Sequence, residues 1–506
     1  MNMNVAIVLT LTIPLLTAIA MLALWGKSKL QVFIGGLSTL FHLAATLWLF
    51  RDVKAQGIQL LSIGNWPNGF GIMLVADTMA SLYLVLSAFM ALMAYWYAIS
   101  YIKSKTSLSI FLPVFFFLIF GLSGTFLAGD LFNLYVWFEV MLVSSFVLFT
   151  IGANRQQFEG SLKYVAINVL SSTFFLVGIA LLYGLTGHLN MAYIAKDLPL
   201  VSNQQLPNIA ATFFFISFGI KAAIFPLFFW LPATYHTAPI GLTALVVALL
   251  TKVGIYALTR FFTLIYPLQG TILQTVMLVL AALTMVIGVL GAAAQVDFRK
   301  ILSFHIVSQI GYMVMGLAIY TPLAIAGSLF FVVHNVLVKT NLFFIAGSVN
   351  TISGSYKLKE LGGLIQQTPW LALLFVISAF SLTGIPPLTG FWGKYLLARG
   401  GFEEGNSLVI GVTAISLMVS LLTLFSMTKI WNEVFWKPNP AGEQPKLDLL
   451  NLLKNQPGMM LSILAITILV LAISFAPETL INWCNESTSI ISGRQNYINS
   501  VIGVNN

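Results

Sequence analysis

Eight ionisable side chains stand inside long apolar runs: Asp77, Glu139, Lys221, Lys252, His305, His334, Lys339 and Lys394. A charge at the centre of a membrane helix costs roughly 2.5 to 3.5 kcal/mol, so four lysines left charged and unpaired would cost on the order of 10 kcal/mol. Such groups must be paired, hydrated or neutral for part of the time, which is what passing protons between them requires. A lysine taken out of water gives up its proton more readily, and a neighbouring carboxylate holds that proton in place. A Lys whose distance from a Glu can change is therefore a site that loads and releases a proton. Glu139 and Lys221, the latter five residues before Pro226, have the residue types for such a pair, and Lys252 stands at the middle of its own run. His334 and Lys339 share one run five residues apart, so they miss a strict helical face yet can line one hydrated seam.

The remaining groups each have a structural reading beside the functional one. Lys394, expected near the outer end of its span, fits a side chain that snorkels to the headgroups. Asp77 fits a capping carboxylate one to two turns from the outer surface, and His305, just after Arg299 and Lys300, fits a hydrogen-bonded histidine near the inner boundary. His236 is a further candidate beyond the prolines of the same span as Lys221. No metal site or cofactor is expected. Cys484 is the single cysteine, which excludes a disulfide framework, a Cys-based zinc site and a four-Cys iron-sulfur cluster. His42 and His188 have no second ionisable group in the same helix or turn, which makes haem a poor fit.

The elements that must position these groups follow from composition. Of 506 residues 59% are hydrophobic and 8% charged, against about 25% charged in soluble domains. Apolar stretches of roughly 18 residues or more read as membrane-spanning helices, and the alternating ten-residue pattern of a transmembrane barrel is missing. The fold class is therefore an all-α integral membrane protein. About fourteen spans are expected, near 4–24, 29–50, 70–98, 108–128, 130–152, 161–185, 209–231, 238–264, 271–294, 300–320, 323–348, 370–397, 406–431 and 457–477. No basic residue precedes Lys27, so the first span does not read as a cleaved signal peptide.

Connections after odd-numbered spans carry thirteen Lys and Arg residues and the opposite side carries six, Arg51, Lys54, Lys196, Arg260, Arg399 and Arg494. By the positive-inside rule both termini are expected to be extracytoplasmic. The same rule accounts for the net charge of +9 without a nucleic-acid partner. The chain reads as one membrane domain, residues 1–506, whose longest polar segment is a cytoplasmic loop at 431–456. Two spans are broken by proline, the seventh at Pro226 and Pro232 and the twelfth at Pro386 and Pro387. Broken helices five spans apart point to inverted repeats, spans 4 to 8 (about 108–264) and spans 9 to 13 (about 271–431).

Six strings carry a family resemblance: AGDLFNLYVWFEVMLVSSF from Ala128, FGIKAAIFPLFFWLP from Phe218, LLTKVGIYALTR from Leu249, DFRKILSFHIVSQIGYM from Asp297, HNVLVKTNLFFIAGSV from His334 and LTGIPPLTGFWGK from Leu382. They resemble, in order and over nearly the whole chain, the D-type component of the Mrp-type multisubunit cation/proton antiporters, within the superfamily shared with the antiporter-like subunits of respiratory complex I. The resemblance implies a proton path through Glu139, Lys221, Lys252, His334, Lys339 and Lys394, with no redox reaction in this chain. It implies partners of the Mrp A, B, C, E, F and G types, transported H⁺ and Na⁺, and a bacterial cell membrane. Some complex I relatives carry Glu where Lys394 stands, and relatives often carry a carboxylate at Ala233, so any role of that acid does not transfer. Two readings remain: a secondary antiporter component that takes up external H⁺ and drives out Na⁺, and the pumping arm of a quinone-reducing or hydrogenase-type complex powered by its other subunits.

Overall fold

The computed structural model describes residues 4–503 except 67, 68, 70, 153, 441, 443–446 and 448–455. Most of the expected loop, with Lys446 and Lys454, lies outside the described residues. The chain is built of helices α1 (Val5–Ala23), α2 (Ser28–Gln56), α3 (Thr78–Tyr101), α4 (Lys105–Leu127), α5 (Leu131–Thr150), α6 (Arg155–Thr186), α7 (Met191–Asp197), α8 (Gln205–Ala222), α9 (Trp230–Tyr235) and α10 (Ile240–Arg260). It continues through α11 (Ile272–Ala294), α12 (Phe298–Ile319), α13 (Pro322–Ser353), α14 (Leu364–Gln367), α15 (Pro369–Thr383), α16 (Thr389–Glu404), α17 (Ser407–Ile430), α18 (Pro457–Phe475), α19 (Pro477–Ser492) and α20 (Arg494–Ile502).

Among the described residues twelve helices are long and apolar enough to cross a membrane. The expected spans seven and twelve are the other two, each formed by a pair of helices, α8 with α9 and α15 with α16. Helix starts follow from local chemistry: Asp77, Asp130, Asn154, Asp297 and Thr321 each accept a backbone N–H of the first turn, satisfying donors that a helix leaves unpaired.

The two breaks have one form. Helix α8 ends on Ala223 in the left-handed region (φ 64°) and α15 on Gly384 (φ 93°), and each is followed by a cis X-Pro bond, Phe225-Pro226 and Pro386-Pro387. Pro232 is not part of the first break. It lies in the first turn of α9, where its missing N–H has no intrahelical acceptor to lose. The helices after the breaks also match: α10 and α17 both finish in a π-helical turn, Phe261–Ile265 and Trp431–Trp436. Residues 431–436 are thus helical rather than the start of a loop.

The third expected span is shorter than its apolar run. Residues Met73–Ala76 form a strand paired antiparallel with Gln59–Ser62, and α3 begins only after its cap, Asp77. This hairpin shares one end of the bundle with the N-terminus, where Asn4 bonds Gln59. The C-terminal helices lie at the same end: Lys54 of α2 pairs with Glu486 of α19, and Arg494 Nη2 donates to the carbonyl of Ala195 in α7 (2.5 Å). Both described termini therefore sit at one end of the bundle.

Helix α13 runs through the middle of the bundle, its apolar window wholly buried, with α10 and α12 almost as enclosed. Close packing around it relies on glycine at the crossings: a Cβ at Gly327 or Gly393 would press on α16 or α13 side chains and backbone. Helices α1, α2, α6 and α17 carry many of the exposed apolar side chains.

Candidate functional site

The buried ionisable groups concentrate at the two breaks and on the three central helices. At the first break, Lys221 occupies the last turn of α8, where the negative end of the helix dipole favours a cation. It was expected mid-way along a span; the break turns mid-span into a helix terminus. Its Nζ sits 5.0 Å from the centroid of Phe138, and Lys221 lines a cavity of about 10 Å³ with Asn168, Tyr164 and Val253, about the space one water needs. Glu139, one residue from Phe138 on α5, accepts a hydrogen bond from Ser172 of α6. Glu139 is within electrostatic reach of Lys221, and no ion pair joins them among the described residues.

On the central helices Lys252 of α10 and Lys339 of α13 are fully buried, and neither ammonium has a hydrogen-bond partner among the described residues. Lys339 feels the charges of both Lys252 and Lys394. His305 and His334 each feel Lys339 and Lys394. These five buried groups thus lie on the three central helices and at the second break, while Glu139 and Lys221 stand at the first break.

His334 Nδ1 is 2.8 Å from Thr389 Oγ1, which is 2.8 Å from Ser381 Oγ, so this histidine is tied to both helices flanking the second break. His305 Nε2 bonds Ser426 of α17 at 2.8 Å. Lys394, in the second turn of α16, reaches back across the break and donates to the carbonyls of Thr383 (2.8 Å) and Leu382 (3.2 Å) at the end of α15. Its Nζ lies 5.0 Å from the Tyr312 ring. The expectation that Lys394 lies near the outer end of its span, where it could snorkel, does not hold. It stands ten residues before Glu404, roughly 15 Å at 1.5 Å per residue, and is held inward by carbonyls the break has freed. Lys221 and Lys394 thus share one physical device, a cation on the C-terminal end of an interrupted helix.

Asp77 is not a free acid inside a span. It caps α3 through Ala80 N (2.8 Å) and makes a bidentate pair with Arg260, Nη1 to Oδ2 at 2.5 Å and Nη2 to Oδ1 at 2.9 Å. Arg260, expected in a loop, is buried at the end of α10 between the rings of Tyr256 and Tyr497. His236 caps α9, its Nδ1 2.5 Å from Pro232 O, and its charged neighbours are Lys300, Arg299 and Asp297. It stands apart from the lysine cluster. His188 has a partner after all in Asp197, 3.7 Å away. Among the described residues no three His, Cys, Asp or Glu side chains group as metal ligands.

Sequence reasoning passed over several polar groups of the site: Ser172, Asn168, Tyr312, Gln309 and Asn335. The signal was present, since amides and hydroxyls recur inside SFHIVSQIGYM and HNVLVKTN, but neutral polar residues in a span are too common to stand out beside lysine.

A bundle with two matching broken helices and buried lysines at both breaks defines a membrane ion-transport architecture. The chain belongs to the NADH:quinone oxidoreductase/Mrp antiporter transmembrane family, whose model matches residues 128–423. It is 42% identical over 500 residues to the D-type component of the Na⁺/H⁺ antiporter of Alkalihalophilus pseudofirmus, covering 99% of this chain and 100% of that protein. It is 35% identical to the corresponding Na⁺/H⁺ antiporter component of Bacillus subtilis, with the same coverage. Among solved structures, a chain of the Mrp complex from Dietzia sp. DQ12-45-1b superposes with a TM-score of 0.90 at 28% identity, over 99% of this chain and 100% of that one.

Proposed function

We propose that this chain is the proton-carrying subunit of a hetero-oligomeric cation/proton antiporter that exchanges external H⁺ for cytoplasmic Na⁺. The observation that carries the reading is the set of four buried lysines, two on the ends of interrupted helices and two without hydrogen-bond partners among the described residues. Such a set is costly to keep in a membrane unless it works. The relatives named as Na⁺/H⁺ antiporter components support the choice of ions, and the likeness to a chain of an Mrp complex supports an assembly with other subunits.

In this mechanism Glu139 and Lys221 form the loading pair. A proton held on Lys221 while Glu139 is near is released toward Lys252 when the pair separates. It then passes to Lys339 with His305 and His334, and to Lys394 at the second break. The charge of the cluster sets the order: a proton arriving at Lys339 is repelled by Lys252 and Lys394 if either is already charged, so occupancy alternates along the line. Asp77 and Arg260 hold α3 to α10 and take no proton. The chain performs transport and no covalent chemistry of its own.

The test uses the assembled complex in everted membrane vesicles with an acid interior. Addition of Na⁺ should collapse the pH difference in vesicles carrying the wild-type complex, and the purified complex should contain small membrane partners. Recovery with flavin or iron-sulfur subunits, and no Na⁺-dependent collapse, would overturn the antiporter reading in favour of a redox-driven pump.

A further inference from the structure

A groove runs along the bundle where α2 and α18 both pack on α3. The half away from the termini is a cavity of about 510 Å³ lined by Val32 of α2, Met93, Trp96 and Ile99 of α3, and Leu461 and Ala465 of α18. It opens outward, since Trp96 is 39% and Leu461 57% exposed. The other half, about 570 Å³, starts at the same Ala465 and runs past Leu469 and Ala476 to Trp483 of α19. Pro457 to Ala465 rises about 12 Å and Ala465 to Ala476 about 16 Å. Each half is thus about one leaflet deep in a hydrocarbon core about 30 Å thick.

The first half offers a polar occupant little. Its two hydroxyls are engaged in holding α18 to α3: Ser100 Oγ accepts from Gly458 N at 3.1 Å, and Ser462 Oγ donates to Met93 O at 2.9 Å. Its surroundings are basic. Lys27 and Lys29 flank the start of α2, Lys103 follows the end of α3, and Lys105 opens α4. Ser109 Oγ donates to Gln31 Oε1 at 3.3 Å, which holds the start of α2 beside the start of α4, so the four lysines share the end of the bundle at which this half opens. All four are exposed, and none is in an ion pair among the described residues. No Asp or Glu occurs in residues 20–51, 78–129 or 456–477. The opposite mouth is balanced, with Lys54 paired to Glu486 and Arg51 next to Asp52.

An apolar slot one leaflet deep under unpaired cations complements a molecule with a hydrocarbon tail and an anionic head. Basic pockets between membrane helices take anionic phospholipid headgroups for this reason, each cation near the surface adding roughly fivefold to affinity. A transmembrane helix in the slot would leave the lysines unanswered. Close helix approach also relies on small residues, and the glycine here is already used: a Cβ at Gly458 would meet Trp96 O and Ser100 Oγ of α3.

We propose that the groove between α2, α3 and α18 binds one anionic phospholipid, with an acyl chain along Trp96 and Leu461 and the phosphate at the lysines of the two loops. The lipid braces α3 and α18 from outside, and both helices hold the central one: Tyr97 donates to Phe344 O at 2.9 Å, and Asn341 Nδ2 donates to Thr467 Oγ1 at 2.9 Å. The site carries no proton and is independent of the transport reading.

The assembled complex in phosphatidylglycerol nanodiscs, imaged by electron cryomicroscopy, tests occupancy. Tail-shaped density against Trp96 and Leu461, with its head at the lysines, is expected. An empty groove, or a helix of another subunit or a second copy lying in it, would overturn the site. Lys27→Gln with Lys29→Gln, and separately Lys103→Gln with Lys105→Gln, test the charge; changing two at a time keeps most of the basic excess that orients the chain. Each pair should lower the preference for phosphatidylglycerol over phosphatidylcholine in this groove at least tenfold, read as the ratio of the two lipids needed to fill it, with complex yield unchanged. Variants that keep the wild-type preference would overturn the anionic assignment.

Discussion

Converting Asp77 to Asn removes one charge from a buried bidentate pair and little else. The Asp77 and Arg260 side chains are 2% and 5% exposed, so the guanidinium left behind cannot reach water without opening the packing of α3 on α10. Breaking one side of such a pair costs about 3 to 5 kcal/mol. Asn retains an oxygen for the cap on Ala80 N, so Asp77→Asn isolates the pair, and Asp77→Ala adds about 1 kcal/mol for the lost cap. Arg260→Met combined with Asp77→Asn removes both charges while filling similar space, and should restore most of the loss. SDS titration of the purified complex in mixed micelles reads stability, and vesicle exchange reads function. The single Asn variant should unfold at markedly lower SDS, and the double variant should recover both stability and exchange. A single variant as stable as wild type would refute the energetic argument, and a stable double variant without exchange would place Asp77 in the ion path.

Two further outcomes follow from the second break. Gly390→Ala drives a Cβ into the Ser381 carbonyl oxygen and to 3.0 Å from the His334 ring, so the crossing of α16 on α15 must separate; the complex should assemble poorly, as read by yield on purification. Lys394→Met keeps the aliphatic stem beside Gly384 but removes the two bonds to the α15 carbonyls, each about 1.5 to 3 kcal/mol if charged. Exchange should fall to background while the complex still assembles, measured in vesicles matched for complex content.

Much of the fold was legible because the bilayer imposes a strong rule on sequence: a span needs about 20 apolar residues, and all fourteen expected segments contain a membrane helix or a broken pair. What escaped was short or polar. The hairpin at 59–76 begins as a continuation of apolar sequence, and only Asp77, as a cap, marks where helix starts. Helices α19 and α20 carry too many polar residues to read as spans, yet Tyr497 and Arg494 close one end of the bundle. Pro232 looked like a break because proline breaks helices in mid-run, and it proved harmless because the preceding break had made it part of a first turn.

For the site, residue types were legible and partnerships were not. Lysine in an apolar run is conspicuous at any position, so the four lysines stood out at once. That Arg260 answers Asp77 across 183 residues has no local signature, and Arg260 at a helix end resembles any loop cation. Lys394 was placed by its distance along a span, whereas its side chain is directed by carbonyls that exist only because of the break at Gly384.

The most direct test of the central claim is Lys221→Ala in the assembled complex, reconstituted or in everted vesicles, with complex content verified and Na⁺-dependent collapse of the pH difference recorded. The account predicts an intact complex with exchange reduced to background, since the loading site for protons is gone. Full Na⁺-dependent exchange from the Ala variant would contradict it and remove Lys221, with its partner Glu139, from the proton path.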